Sequence, residues 1–153
     1  MIVSDSTTLI VLNNLGKLDL LKVFNQVYIP QKVYEEVNFK KNFILPDFIK
    51  VKKIETNELY FYLTKLLDEG ESEAITLAKE LNIPLIIDEK KGRKIAKNLN
   101  IKIVGLLGIL YLNYKKGFIT KEEIKSFLGD AINNGYRISQ RLLDEFWNTL
   151  KQI

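Results

Sequence analysis

The chain has 153 residues, 46% of them hydrophobic and 27% charged, with no Cys, no His and a formal net charge of +4. That is the length and balance of one globular domain, not of a disordered or repeat-built chain. The missing residue types exclude disulfides, zinc–thiolate and iron–sulfur centres, thiol nucleophiles, Ser-His-Asp triads and His-held metals, so any acid–base or metal chemistry must run on Asp, Glu, Lys and Tyr.

In chain order, Ile2 and Val3 predict a short strand that runs into a polar cluster at residues 4–8. This opening has no basic segment ahead of an apolar run and does not read as a signal peptide. Leu9, Ile10, Leu12 and Leu15 recur at helical spacing and are closed by Gly16. Leu18, Leu20, Leu21 and Phe24 predict a second helix. Val27-Tyr28-Ile29 predicts a strand, which Pro30 ends while opening a helix that carries Val33, Tyr34, Glu35, Glu36 and Val37. Residues 38–55 read as a loop followed by an edge strand over 49–54.

The spacing then predicts a helix over 59–67, a break at Gly70, and a further helix whose Ala74, Leu77, Ala78 and Leu81 form one apolar stripe. Leu85-Ile86-Ile87 reads as a buried strand ending at Asp88 and Glu89, followed by a basic helix over 93–99 and a strand over 101–104. Helices over 106–114, 121–132 and 139–150 complete the chain, the last with Ser139 as N-cap. The apolar stretch 103–112 falls short of the roughly 20 residues a membrane span needs. A soluble, cytoplasmic protein with no membrane partner is expected.

Short apolar strands alternating with amphipathic helices predict an α/β fold with a parallel sheet covered on both faces. Sites in such folds form outside the carboxyl ends of strands. Asp5 follows the first strand, and Asp88 and Glu89 follow the strand at 85–87, so both groups emerge on one side of the sheet. Glu36 and Glu73 come from helices, and Glu73, four residues before Leu77, borders the core-facing stripe while Glu71 lies on a different face. If these elements converge, Asp5, Glu36, Glu73 and Asp88 form a carboxylate cluster. Without His or Cys, the natural counter-charge is a hard divalent cation such as Mg²⁺. Each acid also has a plain structural role open to it: Asp5, Glu71, Glu73, Asp88 and Glu89 as helix-start residues, Glu36 as solvated surface.

The runs IVSDSTTLIVL, VYIPQKVYEEV, GESEAITLAKEL and LIIDEKKGRKIA, with VGLLGILYLNYKKGFI after them, resemble the PIN-domain family. More narrowly, they resemble a branch ending in Gly-Tyr-Arg-Ile-Ser, here residues 135–139, and the resemblance spans the whole chain as a single domain over 1–153. It implies a three-layer α/β/α sandwich around a central parallel sheet. It implies a Mg²⁺- or Mn²⁺-dependent endoribonuclease that hydrolyses RNA phosphodiester bonds with metal-activated water, leaving a 5′-phosphate and a 3′-hydroxyl. Many such proteins are toxins of toxin–antitoxin pairs, silenced by a small antitoxin-like protein and often homodimeric.

Carried over residue by residue, the resemblance makes Asp5, Glu36, Glu73 and Asp88 the catalytic and metal-holding acids. Glu89 is the alternative to Asp88 at the last position, and Ser6 or Thr7 is the hydroxyl neighbour of the first acid. Two departures stand out: Glu73 where the commoner toxin branch has Asp, and Ile87 where it has Thr or Ser. They motivate an alternative, a catalytically weak or inactive PIN-like module that binds a protein partner or RNA.

Lys90, Lys91, Arg93, Lys94 and Lys97 crowd the segment after Asp88. They are candidate ligands for RNA phosphates, or else a solvated helix face. Tyr60, Phe61 and Tyr62, like Phe146 and Trp147, sit among leucines at helical spacing. Core or dimer-interface packing is expected of them ahead of base stacking.

Overall fold

The computed structural model describes residues 1–39 and 43–152; residues 40–42, within the loop expected over 38–55, lie outside the described residues. Five strands form one sheet: β1 (Ile2–Ser4), β2 (Val27–Ile29), β3 (Ile49–Val51), β4 (Leu85–Ile86) and β5 (Ile103–Val104). Their order is β3-β2-β1-β4-β5, and every pairing is parallel. Val3, Val27, Ile29, Leu85 and Ile86 are fully sealed from solvent, as expected when helices cover both faces of a parallel sheet. The described helices are α1 (Ser6–Asn14), α2 (Gln31–Phe39), α3 (Glu58–Thr64), α4 (Glu69–Leu81), α5 (Lys90–Asn98), α6 (Leu106–Lys115), α7 (Lys121–Asn133) and α8 (Gln140–Lys151). The result is an α/β/α sandwich.

The topology itself marks where a site belongs. β1 is the central strand, with β2 and β3 added on one side and β4 and β5 on the other. Chain order reverses between β1 and β4, which opens a crevice outside their carboxyl ends. Helix α4 packs on both of these strands and against α2 and α3. Its buried run Ala74, Ile75, Thr76, Leu77 and Ala78 anchors it there, so its first turn is held over the same crevice.

Several elements differ from the sequence expectation. The second helix is a 3₁₀ helix, Leu18–Phe24, flanked by left-handed Gly16 and Asn25 (φ 66° and 67°); the tighter coil suits a short connector between reversals. The amide of Asn113 ties it down, donating to the Leu20 carbonyl at 2.9 Å and to the Ile109 carbonyl at 2.8 Å. Gly70 is no break. Helix α4 starts ahead of it, because the Asp68 side chain accepts from the Glu71 N–H at 2.8 Å and caps the helix. The edge strand ends at Val51 and β5 is confined to Ile103–Val104, while α5 begins at Lys90, directly after Glu89. Ser139 caps α8 as expected, accepting from the Leu142 N–H.

Phe146 is buried, with Trp147 edge-on against it at 5.4 Å. Phe61 and Tyr62 are 59% and 57% exposed and take no part in the core. Among the described residues no helix is long and apolar enough to cross a membrane.

Candidate active site

Asp5 stands where β1 gives way to α1, and it is bound from both sides of the crevice. Its backbone N–H continues the ladder to the Ile86 carbonyl at 3.0 Å. One carboxylate oxygen, Oδ1, accepts from the Thr8 N–H at 3.1 Å and caps α1. The other, Oδ2, accepts from the Asp88 N–H at 2.9 Å. The capping role and the site role therefore belong to one side chain. Asp5 is only 4% exposed. Burial pushes its carboxyl from 3.8 up to about 7, against the lowering effect of the hydrogen bonds from Asp88 and Thr8. A carboxylate so deeply buried has a high cost when ionised unless a cation joins it.

Glu36, on α2, reaches the site through Ser6, whose hydroxyl donates to its Oε2 at 3.4 Å. Its neighbour Glu35 points to solvent. Burial first, and the Asp68 charge second, raise the Glu36 carboxyl, while the Ser6 hydroxyl opposes them. Its other oxygen, Oε1, is buried without a hydrogen-bond partner, which is uncommon for a native polar atom. That oxygen occupies the space a side chain at position 70 would fill: a Cβ on Gly70 would lie 1.9 Å from it.

Gly70→Ala is thus expected to separate stability from function. Ala gains up to about 1 kcal/mol over Gly inside a helix, and the clashing atom is the far end of a flexible side chain. The melting temperature should hold or rise, while Glu36 is driven out of place and any activity that depends on its carboxylate falls. Paired thermal-unfolding and activity assays check this; full activity in the variant would contradict it.

The start of α4 sends its two inner acids, Glu71 and Glu73, in different directions. The Glu73 carboxylate turns to α2: its Oε1 accepts from the Lys32 N–H at 3.1 Å, and its charge reaches Glu36 and not Asp5. Helix α2 follows Pro30, which offers no side-chain acceptor, so Glu73 satisfies one of its orphan N–H groups from another helix. Glu71 faces the crevice instead. Two residues apart on a helix, these side chains diverge by about 200°, so the start of α4 cannot aim both at Asp5. Burial pushes the Glu71 carboxyl from 4.5 up to about 8, aided by its hydrogen bond with Glu89 and by the charges of Asp68, Glu89 and Asp5. Carboxylate oxygens of Asp68, Glu71 and Glu89 lie within 4.8 Å of one another.

The choice between Asp88 and Glu89 resolves into two roles. Asp88 turns toward Asp5 and accepts a hydrogen bond from the Tyr136 hydroxyl at Oδ1, and Glu89 turns toward Glu71. The Tyr136 hydroxyl is pushed up strongly by burial and by its bond to Asp88, so it stays a donor. Sequence reasoning gave Tyr136, Asp68 and Gly70 no role in the site. The Gly-Tyr-Arg-Ile-Ser segment and the Asp-Glu-Gly-Glu run were the only signals for them. Thr7 is exposed and Ser6 half-buried. Among the described residues, Asp5, Glu36, Asp68, Glu71, Asp88 and Glu89 form no ion pair with Lys or Arg.

Residues 1–152 match a family model described as a PIN domain. The chain belongs to the PIN-domain family. PIN domains are generally nucleases and typically use divalent metals, and a cluster of acidic residues is present here. A solved PilT N-terminus domain protein from the hyperthermophilic archaeon Sulfolobus solfataricus P2 is similar at 20% identity and a TM-score of 0.45, covering 75% of this chain and 92% of its own. No curated protein matches.

Helix α5 of this PIN domain, which follows Glu89, carries several basic residues. Lys90, Lys91 and Lys94 are exposed and Arg93 is half-buried. Lys91 borders a groove of about 400 Å³ together with Asp68, Glu71 and Glu89. The Arg93 guanidinium lies against Gly105, 3.5 Å from where a Cβ would stand, and its charge reaches Tyr136. It forms no ion pair among the described residues.

Proposed function

We propose that this PIN domain is a Mg²⁺- or Mn²⁺-dependent endoribonuclease whose metal is held by Asp5, Glu36, Glu71 and Asp88, with Glu89 and Asp68 at the rim. The observation that carries this reading is that these acids line the β1/β4 crevice, linked through the Asp88 N–H to Asp5, Ser6 to Glu36 and Glu71 to Glu89, with no ion pair to Lys or Arg among the described residues. The donor set fits the ion. It is all oxygen and carries several negative charges, which suits a hard divalent cation. The unpartnered Glu36 Oε1 and the raised carboxyls of Asp5 and Glu71 are what an acid cluster shows before its cation joins it.

When bound, such a cation supplies Lewis acidity, lowering the pKa of water and offsetting charge on a phosphoryl centre. The protein does the positioning. Asp5 is fixed by two backbone N–H groups, Glu36 by Ser6, and Asp88 by its own chain segment and Tyr136. Asp5 and Glu71 give up protons as the site fills, since ligating carboxylates must be ionised. Arg93 and the lysines of α5 are suited to hold RNA phosphates on either side of the scissile bond, the contacts that dominate affinity for nucleic acid.

Incubating end-labelled single-stranded RNA with the protein tests this. Cleavage in Mn²⁺ or Mg²⁺ and none in EDTA is expected. Intact RNA under every metal condition, or cleavage that persists in EDTA, would contradict it. The revised ligand set has its own test. Glu71→Gln should lower the rate about a hundredfold or more, the scale of losing several kcal/mol of charge stabilisation. Glu73→Gln, whose amide oxygen still accepts from the Lys32 N–H, should change it only slightly. The reverse ranking would restore Glu73 as the ligand.

A further inference from the structure

We infer that Tyr136 is a positioning residue for Asp88: its hydroxyl occupies Oδ1, so that Asp88 presents its other oxygen to the site in a fixed orientation. The inference rests on the metal-centre reading above and adds to it a residue from a distant part of the chain.

The local structure is built to deliver this contact. Helix α7 ends at Asn133, and Gly135, at φ +96°, turns the backbone through a conformation that L side chains rarely adopt. The Tyr136 N–H then closes back on the Ala131 carbonyl at 2.9 Å, which fixes where the ring departs. The ring packs against the hydrophobic core, and its hydroxyl meets Asp88, 48 residues earlier in the chain. Asp88 is held at its N–H by Asp5 and at one carboxylate oxygen by Tyr136. A carboxylate pinned in this way loses little orientational freedom on binding. Partners that orient a ligand typically contribute 10–100-fold to metal affinity or activity.

Packing alone is the competing explanation, and Tyr136→Phe separates the two because it keeps the ring and removes only the hydroxyl. Thermal unfolding would be followed while Mn²⁺ is titrated into metal-free wild type, Tyr136→Phe and Asp5→Asn. In Tyr136→Phe the metal-free melting temperature should stay close to wild type, while the Mn²⁺ concentration giving half the stabilisation rises about 10–100-fold. In turnover, kcat should fall with KM for RNA unchanged. A wild-type Mn²⁺ midpoint in Tyr136→Phe, with Asp5→Asn unresponsive, would overturn the role of Tyr136 and leave the metal centre standing. A lowered metal-free melting temperature with an unchanged midpoint would make it a packing residue and overturn the inference as well. Wild type that ignores Mn²⁺ would overturn the metal centre itself, and this inference with it.

Discussion

Asp5→Asn is expected to cut metal-dependent RNA cleavage about a thousandfold or more, the consequence of losing several kcal/mol of metal-borne charge stabilisation. The fold should survive the change. The Asn oxygen can still accept from the Thr8 N–H and cap α1. The amide nitrogen cannot accept from the Asp88 N–H, and leaving a buried donor unmet costs about 1–3 kcal/mol. Against that, the substitution removes a carboxyl that burial already disfavours as an anion. These effects oppose each other, so unfolding in EDTA should shift by only a few degrees while activity is lost. Rate measurements on folded variant decide the matter, and cleavage at the wild-type rate would remove Asp5 from the site.

Metal-free protein should lose stability as pH rises from about 5 to about 8, and added Mn²⁺ should reverse the trend. The folded-state values of Asp5 and Glu71, about 7 and about 8, lie above their ordinary 3.8 and 4.5. Between those limits the native state holds protons that the unfolded chain has released, so stability falls with pH. For Asp5 the contribution is complete below 3.8 and is lost as pH rises through about 7. One such proton sets a slope of up to about 1.4 kcal/mol per pH unit. At about 2–4 °C per kcal/mol for a domain of this size, that is a drop of several degrees. Cation binding needs the ionised carboxylates, so the Mn²⁺-induced rise should grow over the same range. Melting curves across pH in EDTA and in Mn²⁺, on wild type and Asp5→Asn, test both signs. A metal-free melting temperature that climbs from pH 5 to 8, or a slope that Asp5→Asn leaves unchanged, would contradict the assignment.

The sheet was legible because its signal is local. Ile2-Val3, Val27-Tyr28-Ile29 and Leu85-Ile86-Ile87 are apolar runs bounded by Pro or acids, and a strand buried on both faces produces that pattern. Asp5 and Asp88 could be placed at one end of the sheet for the same reason, since residues after parallel strands emerge together. Glu36 could be preferred to Glu35 only through its position in the Pro-x-x-Val-x-x-Glu pattern. The choice between Glu71 and Glu73 was not legible. Both stand near the start of α4, and which one faces Asp5 depends on how α4 is rotated against α2. That rotation is set by contacts far apart in sequence, among them the bond from the Lys32 N–H to Glu73 and the approach of Glu36 to Gly70. Tyr136 was hidden in the same way, because its partner lies on the far side of three helices in the chain. Gly70 carried a visible signal that admits two readings. A glycine near a helix start suggests a break, whereas here it makes room for a carboxylate.

The most direct measurement is a calorimetric titration of metal-free wild-type protein with Mn²⁺ near neutral pH, repeated in buffers of different ionisation enthalpy. Saturable binding is the predicted result, with heats that vary with the buffer because Asp5 and Glu71 release protons as the cation enters. Folded protein that takes up no Mn²⁺ would contradict a metal centre at these acids.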